Sequence, residues 1–570
     1  MLYHALACDY DGTLASQGRV AETTLAALDR LRNSGRKLIL VTGRELSDLS
    51  QVFPNLDLFE RVVAENGALL YEPATREKKL LCERLSEEFI RALQEKGVDP
   101  LYSGEVIVAT REPNETTVLR VIRDLGLELQ VIFNKGAVMI LPSGVNKATG
   151  LRSALKELGL SPHNAVGIGD AENDHAFLEM CECSVAVANA LDSVKNRADW
   201  VTSKKNGAGV IELIDRLISS DLAELEPKLK RHEILIGLRE KWTEVHLKPY
   251  GVSVLVAGTS GSGKSTFATS FLERLTEQRY QFCIMDPEGD YQNFEGAVVL
   301  GSGKRAPVVD EVIKLLENPG QNSVVNLLGI ALEHRPAFFE SLLPSLLHLR
   351  ARTGRPHWIV IDEAHHLLPL TWAPSKLTIP QEIHGMMLIT VHPDHVARHI
   401  LSLMDVIIAI GELPAQTIRT FSEALDENTP LVPSSKLRVG EAIGWWRQSG
   451  EDPFQFRIIP PRAERRRHIR KYAEGELGPD SSFYFRGPEG KLNLRAQNLI
   501  VFMQLGDGVD DDTWMYHLRR GDYSRWFREA IKDEGLAIEV RMIEEMADIS
   551  PEESRNLIKA KIEEYYTGPV

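Results

Sequence analysis

Paired cysteines, fixed-period repeats and long apolar runs are all missing from this sequence of 570 residues. Its cysteines are odd in number, at positions 8, 82, 181, 183 and 283, and lack Cys-x-x-Cys spacing, so we expect reduced, mostly buried thiols. No run of about 18 apolar residues occurs, and no charged stretch precedes the apolar start of the chain. We therefore expect no signal peptide, no membrane span and a cytoplasmic location.

An excess of positive charge is also missing, since the formal net charge is -15 at pH 7. That balance argues against a surface that coats nucleic acid generally, although a local basic patch is compatible with it. The composition, 43% hydrophobic and 26% charged, is typical of a globular protein. The length exceeds what one hydrophobic core normally holds, which predicts two to four domains.

The first informative segment is DYDGTL, which follows the apolar run LYHALAC. Residues two apart on a strand point to the same side, so Asp9 and Asp11 would share one face at the carboxyl end of a buried strand. In an open α/β sheet that end borders the ligand crevice. By itself the hexapeptide also fits a solvated turn, because Asp and Gly are common turn residues.

Three further polar clusters follow apolar strands or begin a helix, in the segments KLILVTGRE, GVNKATGLRSALKELG and AVGIGDAENDHAFLEM. Together the four segments resemble the motifs of the haloacid dehalogenase superfamily of phosphatases, over about residues 1 to 215. The closest subclass is IIB, the Cof-like enzymes, which insert a cap between the second and third motifs. The residues that carry the last three motifs are Thr42, Gly43, Arg44, Lys147, Asp170, Asn173 and Asp174.

The resemblance implies an α/β fold and a metal-dependent phosphatase. Asp9 would attack phosphorus and form an aspartyl-phosphate, and Asp11 would act as general acid and then base. Lys147 and Thr42 would grip the phosphoryl group by charge and hydrogen bond.

The resemblance also implies a Mg²⁺ site, because carboxylate oxygens suit that hard cation. The implied metal ligands and supporting residues are Asp9, Asp11, Asp170 and Asp174. The implied substrate-binding residues are Gly43, Arg44 and Asn173.

Between the second and third motifs, residues 80 to 142 alternate helix and strand patterns and predict a small α/β cap. Such a lid excludes water and limits substrate size. We therefore expect a small phosphorylated metabolite as substrate, and the family suggests sugar phosphates and phosphoglycolate. The phosphatase domain would comprise residues 1 to 220, followed by a helical connector at 221 to 247.

A second phosphate-binding motif, GTSGSGKST, follows the strand SVLVAG and precedes a helical pattern. This context favours a phosphate-binding loop for ATP, with backbone N–H groups around the phosphates, Lys264 on the outer phosphates and Ser265 on Mg²⁺. The predicted ATP-binding residues are Gly258, Gly261, Gly263, Lys264, Ser265, Thr266 and Asp362.

An apolar strand ending in acid, PHWIVIDEAHHLLP, supplies the partner motif. Asp362 would contribute to the coordination shell of the metal, and Glu363 would orient the attacking water. The glutamate favours ATP hydrolysis over phosphate transfer. With CIMDPEGDY and LITVHPDHV, these motifs resemble the HerA and FtsK class of motor ATPases over residues 248 to 462, which implies a ring-shaped homo-oligomer. That class often has glutamine where this chain has His392.

The remaining residues, 463 to 570, carry apolar residues at helical spacing and predict a helical domain in which Trp514, Trp526 and Phe527 belong to the core. A basic cluster at residues 462 to 471 could contact DNA phosphates or an acidic surface, and a solvated helix face fits it equally.

The sequence thus predicts a metabolite phosphatase fused to a ring-class ATPase. Two alternatives stay open. One is a nucleic-acid end-processing enzyme that combines 3′-phosphatase and 5′-kinase activities. The other is an ATP-gated, DNA-associated assembly with a phosphatase effector.

Overall fold

A strand near the middle of the first sheet, Ala5–Asp9, consists of an apolar run that ends at the first residue of DYDGTL, and all of its residues are buried. Parallel neighbours on both sides explain why the run is apolar throughout, because such a strand is covered on both faces. The structure is a computed structural model that describes residues 1–134, 136–372, 384–433, 436–462, 482–531 and 533–566.

The first domain begins as alternating strands and helices and then forms a hairpin. Its elements are β1 Ala5–Asp9, α1 Glu22–Asn33, β2 Lys37–Val41, α2 Leu46–Val52, β3 Arg61–Ala64, β4 Leu69–Glu72 and β5 Glu77–Leu80.

The cap follows as an antiparallel sheet with the order β6-β7-β9-β8, which carries two helices. Its elements are α3 Glu87–Glu95, β6 Tyr102–Ser103, β7 Val108–Arg111, α4 Glu115–Asp124, β8 Leu129–Asn134 and β9 Ala137–Pro142. One face of each helix packs on a small separate core that includes Phe89, Val118 and Ile140.

The chain then returns to the first sheet. The returning elements are α5 Lys147–Glu157, β10 Ala165–Gly169, α6 His175–Met180, β11 Cys183–Ala186, α7 Asp192–Lys195, β12 Trp200–Val201 and α8 Asn206–Ser220. The sheet order is β12-β11-β10-β1-β2-β3-β4-β5, which places β1 between β10 and β2. The carboxyl ends of these three parallel strands therefore meet at one edge.

Helix α5 begins with a capping box around Asn146, whose side chain accepts a hydrogen bond from Thr149 N at 3.0 Å. Gly67 lies against this start with a φ of +103°, and a Cβ on it would lie 1.9 Å from Asn146 O. Gly67 therefore lets the β3–β4 turn approach the helix start directly ahead of Lys147.

The second sheet holds the phosphate-binding loop. Its elements begin with β13 Ile234–Leu238, β14 Glu244–Leu247, β15 Val254–Gly258, α9 Lys264–Glu277, β16 Phe282–Asp286, β17 Val298–Leu300, α10 Val309–Leu316 and β18 Ser323–Asn326. They continue with α11 Arg335–Thr353, β19 Trp358–Ile361, α12 Ala364–Leu367, β20 Met386–Thr390, α13 Arg398–Leu401, β21 Val406–Ile410, α14 Pro414–Ala424, β22 Glu441–Trp446 and β23 Phe454–Ile458.

The strand order of this sheet is β14-β13-β23-β22-β21-β15-β20-β19-β16-β18-β17. In this order, all neighbouring strands from β21 to β17 pair in parallel, and β20 lies between β15 and β19. The mixed α/β class predicted for both segments is confirmed.

The helical connector predicted at residues 221 to 247 is wrong for its second half. Ile234–Leu238 and Glu244–Leu247 form an antiparallel hairpin that joins the second sheet through β23. Alternate side chains such as Ile234, Ile236 and Val245 are buried in that sheet's core. The many charges had suggested a solvated helix, whereas the outward side of an edge hairpin accommodates them as well.

The chain divides into two compact units, Met1–Ile459 and Pro460–Val570. The second unit is largely helical, as expected, and its core buries Trp514, Trp526 and Phe527, as predicted. Its described elements are β24 Phe483–Phe485, β25 Leu494–Ala496 and the helices Leu499–Gly508, Asp511–Arg519, Asp522–Glu529, Glu534–Glu544 and Pro551–Tyr566.

The basic cluster of residues 462 to 471 lies outside the described residues from position 463 onward. Among the helices that the structure describes, none combines the length and the apolar character that a membrane crossing requires.

Gly67→Ala should destabilise the first sheet more than Gly35→Ala does. Both glycines have positive φ, +103° and +89°, but nothing lies within 4 Å of a Cβ on Gly35. Backbone strain should cost about 1–2 kcal/mol at either site, and the clash with Asn146 should add about 1–3 kcal/mol at Gly67. Differential scanning fluorimetry of both variants checks this, and equal shifts of the first unfolding transition would contradict it.

Candidate active sites

The carboxyl ends of β1, β2 and β10 bring the predicted phosphatase residues together around a buried lysine. Lys147 Nζ lies 2.5 Å from Asp9 Oδ1 and 2.6 Å from Asp174 Oδ1. Lys147 is 1% exposed, Asp9 4% and Asp174 0%. An ammonium this deeply buried needs carboxylate partners, and two of them hold it here.

Asp170 completes the carboxylate cluster. One carboxylate oxygen from each of Asp9, Asp170 and Asp174 lies within 4.8 Å of the others, and all three residues are buried. Asp170 Oδ1 accepts a hydrogen bond from Thr13 Oγ1 at 3.2 Å. The second oxygen of Asp174 accepts the N–H groups of Asp170 and Ala171, so this side chain positions the loop as well as Lys147.

The charge of this cluster fits a divalent cation. When all three carboxylates are ionised, they exceed the one ammonium by two negative charges in a buried site. Oxygen donors of this kind suit Mg²⁺. Of the residues predicted as ligands, Asp9 and Asp170 are the best placed, because both oxygens of Asp174 already accept hydrogen bonds.

The pKa values express the same charge imbalance. Burial, and then the charge of Asp174, raises the pKa of Asp9 to about 8 despite the opposing effect of Lys147. Burial alone would lower the pKa of Lys147, but Asp174 and Asp9 outweigh it and raise that pKa above its ordinary value. The lysine is therefore held in its charged form.

Asp11 is placed differently from the other carboxylates. Arg44 Nε lies 2.6 Å from Asp11 Oδ2, and Arg44 Nη2 lies 2.8 Å from Asp11 Oδ1. The Asp11 side chain is 42% exposed, and among the described residues it is not part of the buried carboxylate cluster. The predicted general acid thus lies at the site's rim, with both oxygens bound to a predicted substrate-binding arginine.

The remaining predicted residues lie on loops beside this cluster. Thr42 is 1% exposed and its hydroxyl accepts the Arg44 N–H at 3.1 Å. Asn173 Nδ2 donates to Asn66 Oδ1 at 3.1 Å. A Cβ on Gly43 would lie 3.4 Å from a carbon of Met139 on cap strand β9, so the cap closes directly over this loop.

Glu65, which sequence reasoning missed, anchors the cap. Its carboxylate accepts the backbone N–H groups of Glu105, Val106 and Ile107 at 2.9, 2.8 and 3.0 Å. The residue is 1% exposed and has a φ of +52°. In the sequence, the signal for this role was an acid directly before an Asn-Gly turn. The backbone groups that it binds begin 40 residues further along the chain, so the sequence did not reveal them.

The ATP-site residues gather at the carboxyl ends of β15, β19 and β20. Lys264 begins helix α9, is 6% exposed, and donates to Gly258 O and Thr259 O, both at 3.0 Å. A Cβ on Gly258 would lie 1.9 Å from Ile410 O, so the loop packs against β21 as only glycine permits. Gly261 and Gly263 have φ of +71° and +104°. Ser265 Oγ lies 3.4 Å from Asp290 Oδ2, and Thr266 follows it on the helix.

The two acids after β19 differ in surroundings. Asp362 is 3% exposed, and burial raises its pKa to about 8. Glu363 adopts φ of +42°, and its N–H donates to Asp362 Oδ1 at 2.9 Å. Among the described residues, Glu363 Oε2 is buried without a hydrogen-bond partner. Glu363 thus combines a left-handed backbone, as is common at functional sites, with a buried carboxylate oxygen.

Thr390, at the end of β20, contacts two histidines, His365 and His392, and His365 in turn lies near Glu363. Its hydroxyl lies 3.0 Å from His365 Nδ1 and accepts the N–H of His392 at 3.0 Å. His365 Nδ1 lies 3.3 Å from Glu363 Oε2. Burial, and then nearby histidines, lowers the pKa of His365 to about 4, which keeps the ring neutral at pH 7.

Comparisons with known proteins match two segments of this chain. Residues 6–123 and 105–214 match the model described as haloacid dehalogenase-like hydrolase. The chain belongs to this family through that segment. The phosphoglycolate phosphatase of Methanothermobacter thermautotrophicus is 30% identical over 223 residues, which are 38% of this chain and 98% of that protein. The phosphoglycolate phosphatase of Sulfolobus acidocaldarius is 31% identical over 224 residues, 38% of this chain and 97% of its own.

Residues 250–403 match the model described as AAA domain. Among solved structures, a haloacid dehalogenase-like hydrolase from Bacteroides thetaiotaomicron aligns with 20% identity over 38% of this chain and 99% of its own, at a TM-score of 0.33. The chain is therefore an enzyme that joins a haloacid dehalogenase-type phosphatase to an ATPase domain, as predicted.

Glu65→Gln should loosen the cap. The amide oxygen can accept, but the loss of charge weakens three charge-assisted hydrogen bonds that are worth about 1.5–3 kcal/mol each at most. Hydrogen–deuterium exchange of residues 102–111 should therefore rise severalfold while the exchange of β1 and β2 stays unchanged.

Glu77→Gln is the matched control, because Glu77 lies exposed on β5. Unchanged exchange of residues 102–111 in Glu65→Gln would contradict the anchoring role.

Proposed function

We propose that the amino-terminal segment hydrolyses small phosphate monoesters through a covalent aspartyl-phosphate on Asp9. The observation that carries this proposal is the buried contact of Asp9 with Lys147, beside Asp170. A carboxylate nucleophile needs a nearby cation that neutralises the approaching phosphoryl oxygens, and Lys147 supplies it. Thr42 adds a hydroxyl at the same strand edge.

Asp11 is proposed to protonate the leaving oxygen and later to accept a proton from the attacking water. Both of its oxygens accept hydrogen bonds from Arg44 at rest. A carboxyl group bound in this way cannot donate a proton, so we propose that Arg44 exchanges Asp11 for an anionic group of the substrate. Asp11 would then become the acid only once a substrate is bound.

Mg²⁺ is the proposed cofactor, held by Asp9 and Asp170. When bound, it would polarise a phosphoryl oxygen and offset the two uncompensated negative charges. Asp174 and Asn173 would hold the loop and Lys147 in place. Asp11, predicted as a further ligand, stays a prediction.

The cap favours a small substrate. Met139 of the cap contacts the Gly43 loop, and Glu65 ties residues 105 to 107 to the core, so the cap is held against this loop. We propose a small phosphorylated metabolite. The relatives' names make phosphoglycolate the first compound to assay, followed by sugar phosphates.

For residues from about 234 to 462 we propose an ATP-hydrolysing domain of the HerA and FtsK class, which would work as a ring-shaped homo-oligomer. Lys264 would leave the loop carbonyls for the outer phosphates of ATP, and Asp362 with Ser265 would hold Mg²⁺. Glu363 would orient the attacking water, and the His365 ring, which contacts Thr390, lies 3.3 Å from Glu363 Oε2. The pairing of β13 with β23 supports starting this domain at the hairpin rather than at residue 248.

Asp9→Asn should abolish phosphate release from small phosphoesters and leave ATP hydrolysis intact, because the amide is no nucleophile. Lys264→Ala should do the reverse. Malachite-green assays across phosphorylated metabolites, with ATPase measured in parallel, check both. Retention of the phosphatase activity in Asp9→Asn would overturn the proposal, and so would its loss in Lys264→Ala.

Glu363→Gln should lower the ATP hydrolysis rate by about 100-fold or more and preserve ATP binding, because the amide cannot act as the water's base. Single-turnover hydrolysis and a fluorescent-nucleotide binding assay separate the two quantities. Glu288→Gln is the control, since it removes an exposed charge near the same lysine. Transfer of labelled phosphate from ATP to a DNA 5′ end by the wild type would contradict the hydrolytic role.

A further inference from the structure

A third cluster of metal-binding side chains lies apart from both active sites, where the phosphatase core meets the second sheet. His163 lies in a 3-10 turn ahead of β10, Glu182 ahead of β11 and His232 ahead of β13. One ligand atom from each residue lies within 4.8 Å of the others. His163 is 5% exposed and Glu182 1%.

The hydrogen bonds of His163 point to a shared proton or a cation beside its Nδ1. Nε2 lies 2.6 Å from Gln278 O, and a carbonyl only accepts, so the hydrogen is on Nε2. Nδ1 lies 2.5 Å from Glu182 Oε2. With a neutral ring and an ionised Glu182, this contact would set one lone pair against another. A proton shared by the two residues resolves that repulsion at this distance, and a metal cation resolves it once the two atoms separate to roughly 3 Å, as ligands about 2 Å from zinc require.

Glu182 carries a second unsatisfied oxygen. Its Oε2 also accepts a hydrogen bond from Tyr280 Oη at 2.8 Å. Its Oε1 is buried without a hydrogen-bond partner among the described residues. A carboxylate oxygen left in this state is costly in a protein interior. A proton on His163 relieves the contact with Oε2 and leaves Oε1 as it was.

His232 adds a third potential metal ligand to His163 and Glu182. Its ring packs edge-on against that of His163, with centroids 5.3 Å apart. Its Nε2 makes one long contact, 3.3 Å, to Cys181 O. A metal ion would therefore account for the lone pair on His163 Nδ1, the unpartnered oxygen of Glu182 and the approach of His232. A proton accounts for the first alone.

We propose that His163, Glu182 and His232 bind a Zn²⁺ ion. Two imidazoles and one carboxylate form a donor set typical of zinc rather than magnesium. The Gln278 carbonyl fixes the tautomer of His163, as carbonyls commonly do for metal-bound histidines. His232 lies on the segment that leads into β13, and Gln278 and Tyr280 belong to the second sheet's side. The ion would thus fasten the two enzyme segments together at their junction.

Zinc content of the full chain tests this proposal. Wild-type protein is incubated with Zn²⁺, passed through gel filtration with excess Mg²⁺ to occupy the carboxylate sites, and measured by inductively coupled plasma mass spectrometry. We expect about one zinc per chain. His232→Gln should weaken zinc binding by at least about tenfold, while the control His348→Gln, at an exposed position on α11, should match the wild type.

Co²⁺ provides a second readout, because a four-coordinate nitrogen and oxygen site absorbs visible light far more strongly than a six-coordinate oxygen site. The wild type should show this band, and His232→Gln should lose it. Zn²⁺ should also raise the first thermal transition of the wild type and not that of His232→Gln. Glu182→Gln should also lose the band. If that buried substitution prevents folding, the His232→Gln variant still tests the proposal, because His232 is only half-buried.

Two results would overturn the proposal. One is an absence of retained zinc in the wild type, which would mean that a proton occupies His163 Nδ1. The other is equal zinc content in the wild type and His232→Gln, which would place the ion elsewhere.

Discussion

The contact of Lys147 with Asp9 and Asp174 is the constraint that organises the phosphatase half of this protein. A charge buried to this degree is tolerated only with paired, hydrogen-bonded partners. Three separate segments must therefore meet at one point. They are the strand that ends at Asp9, the helix that starts at Lys147 and the loop that holds Asp174. The turn at Gly67 packs on that helix start, so even a distant glycine serves the same contact.

The two proposed phosphate sites use different groups at similar positions. Both sets of residues lie at the carboxyl ends of parallel strands, where helices begin and backbone N–H groups can face a ligand. In the proposed phosphatase reaction, side chains of the first sheet surround the phosphoryl group and Asp9 attacks it. In the proposed ATPase reaction, a glycine loop holds the phosphates and Glu363 directs a water molecule. Under these proposals, a nucleophilic and a water-directing carboxylate occupy equivalent edges of two sheets in one chain.

Sequence reasoning predicted the site residues better than it predicted their contacts. Asp9, Lys147, Asp170 and Asp174 meet as expected, because motif residues at strand ends converge whenever the strands are parallel neighbours. The hairpin at residues 234 to 247 was misread, since charged residues fit a solvated helix and the outer side of an edge strand equally well. The role of Glu65 was invisible, because its three partners come from a segment far along the chain.

The sequence by itself determined the chemistry: which carboxylates, lysines and glycines are present, and that two sheets carry them at strand ends. Local pattern and residue type suffice for this, because strand periodicity and turn propensity act over a few neighbours. Only the tertiary structure decided that Arg44 binds both oxygens of Asp11 and that His163, Glu182 and His232 converge. Such contacts join residues separated by tens of positions, and their geometry depends on how whole sheets and their connections pack.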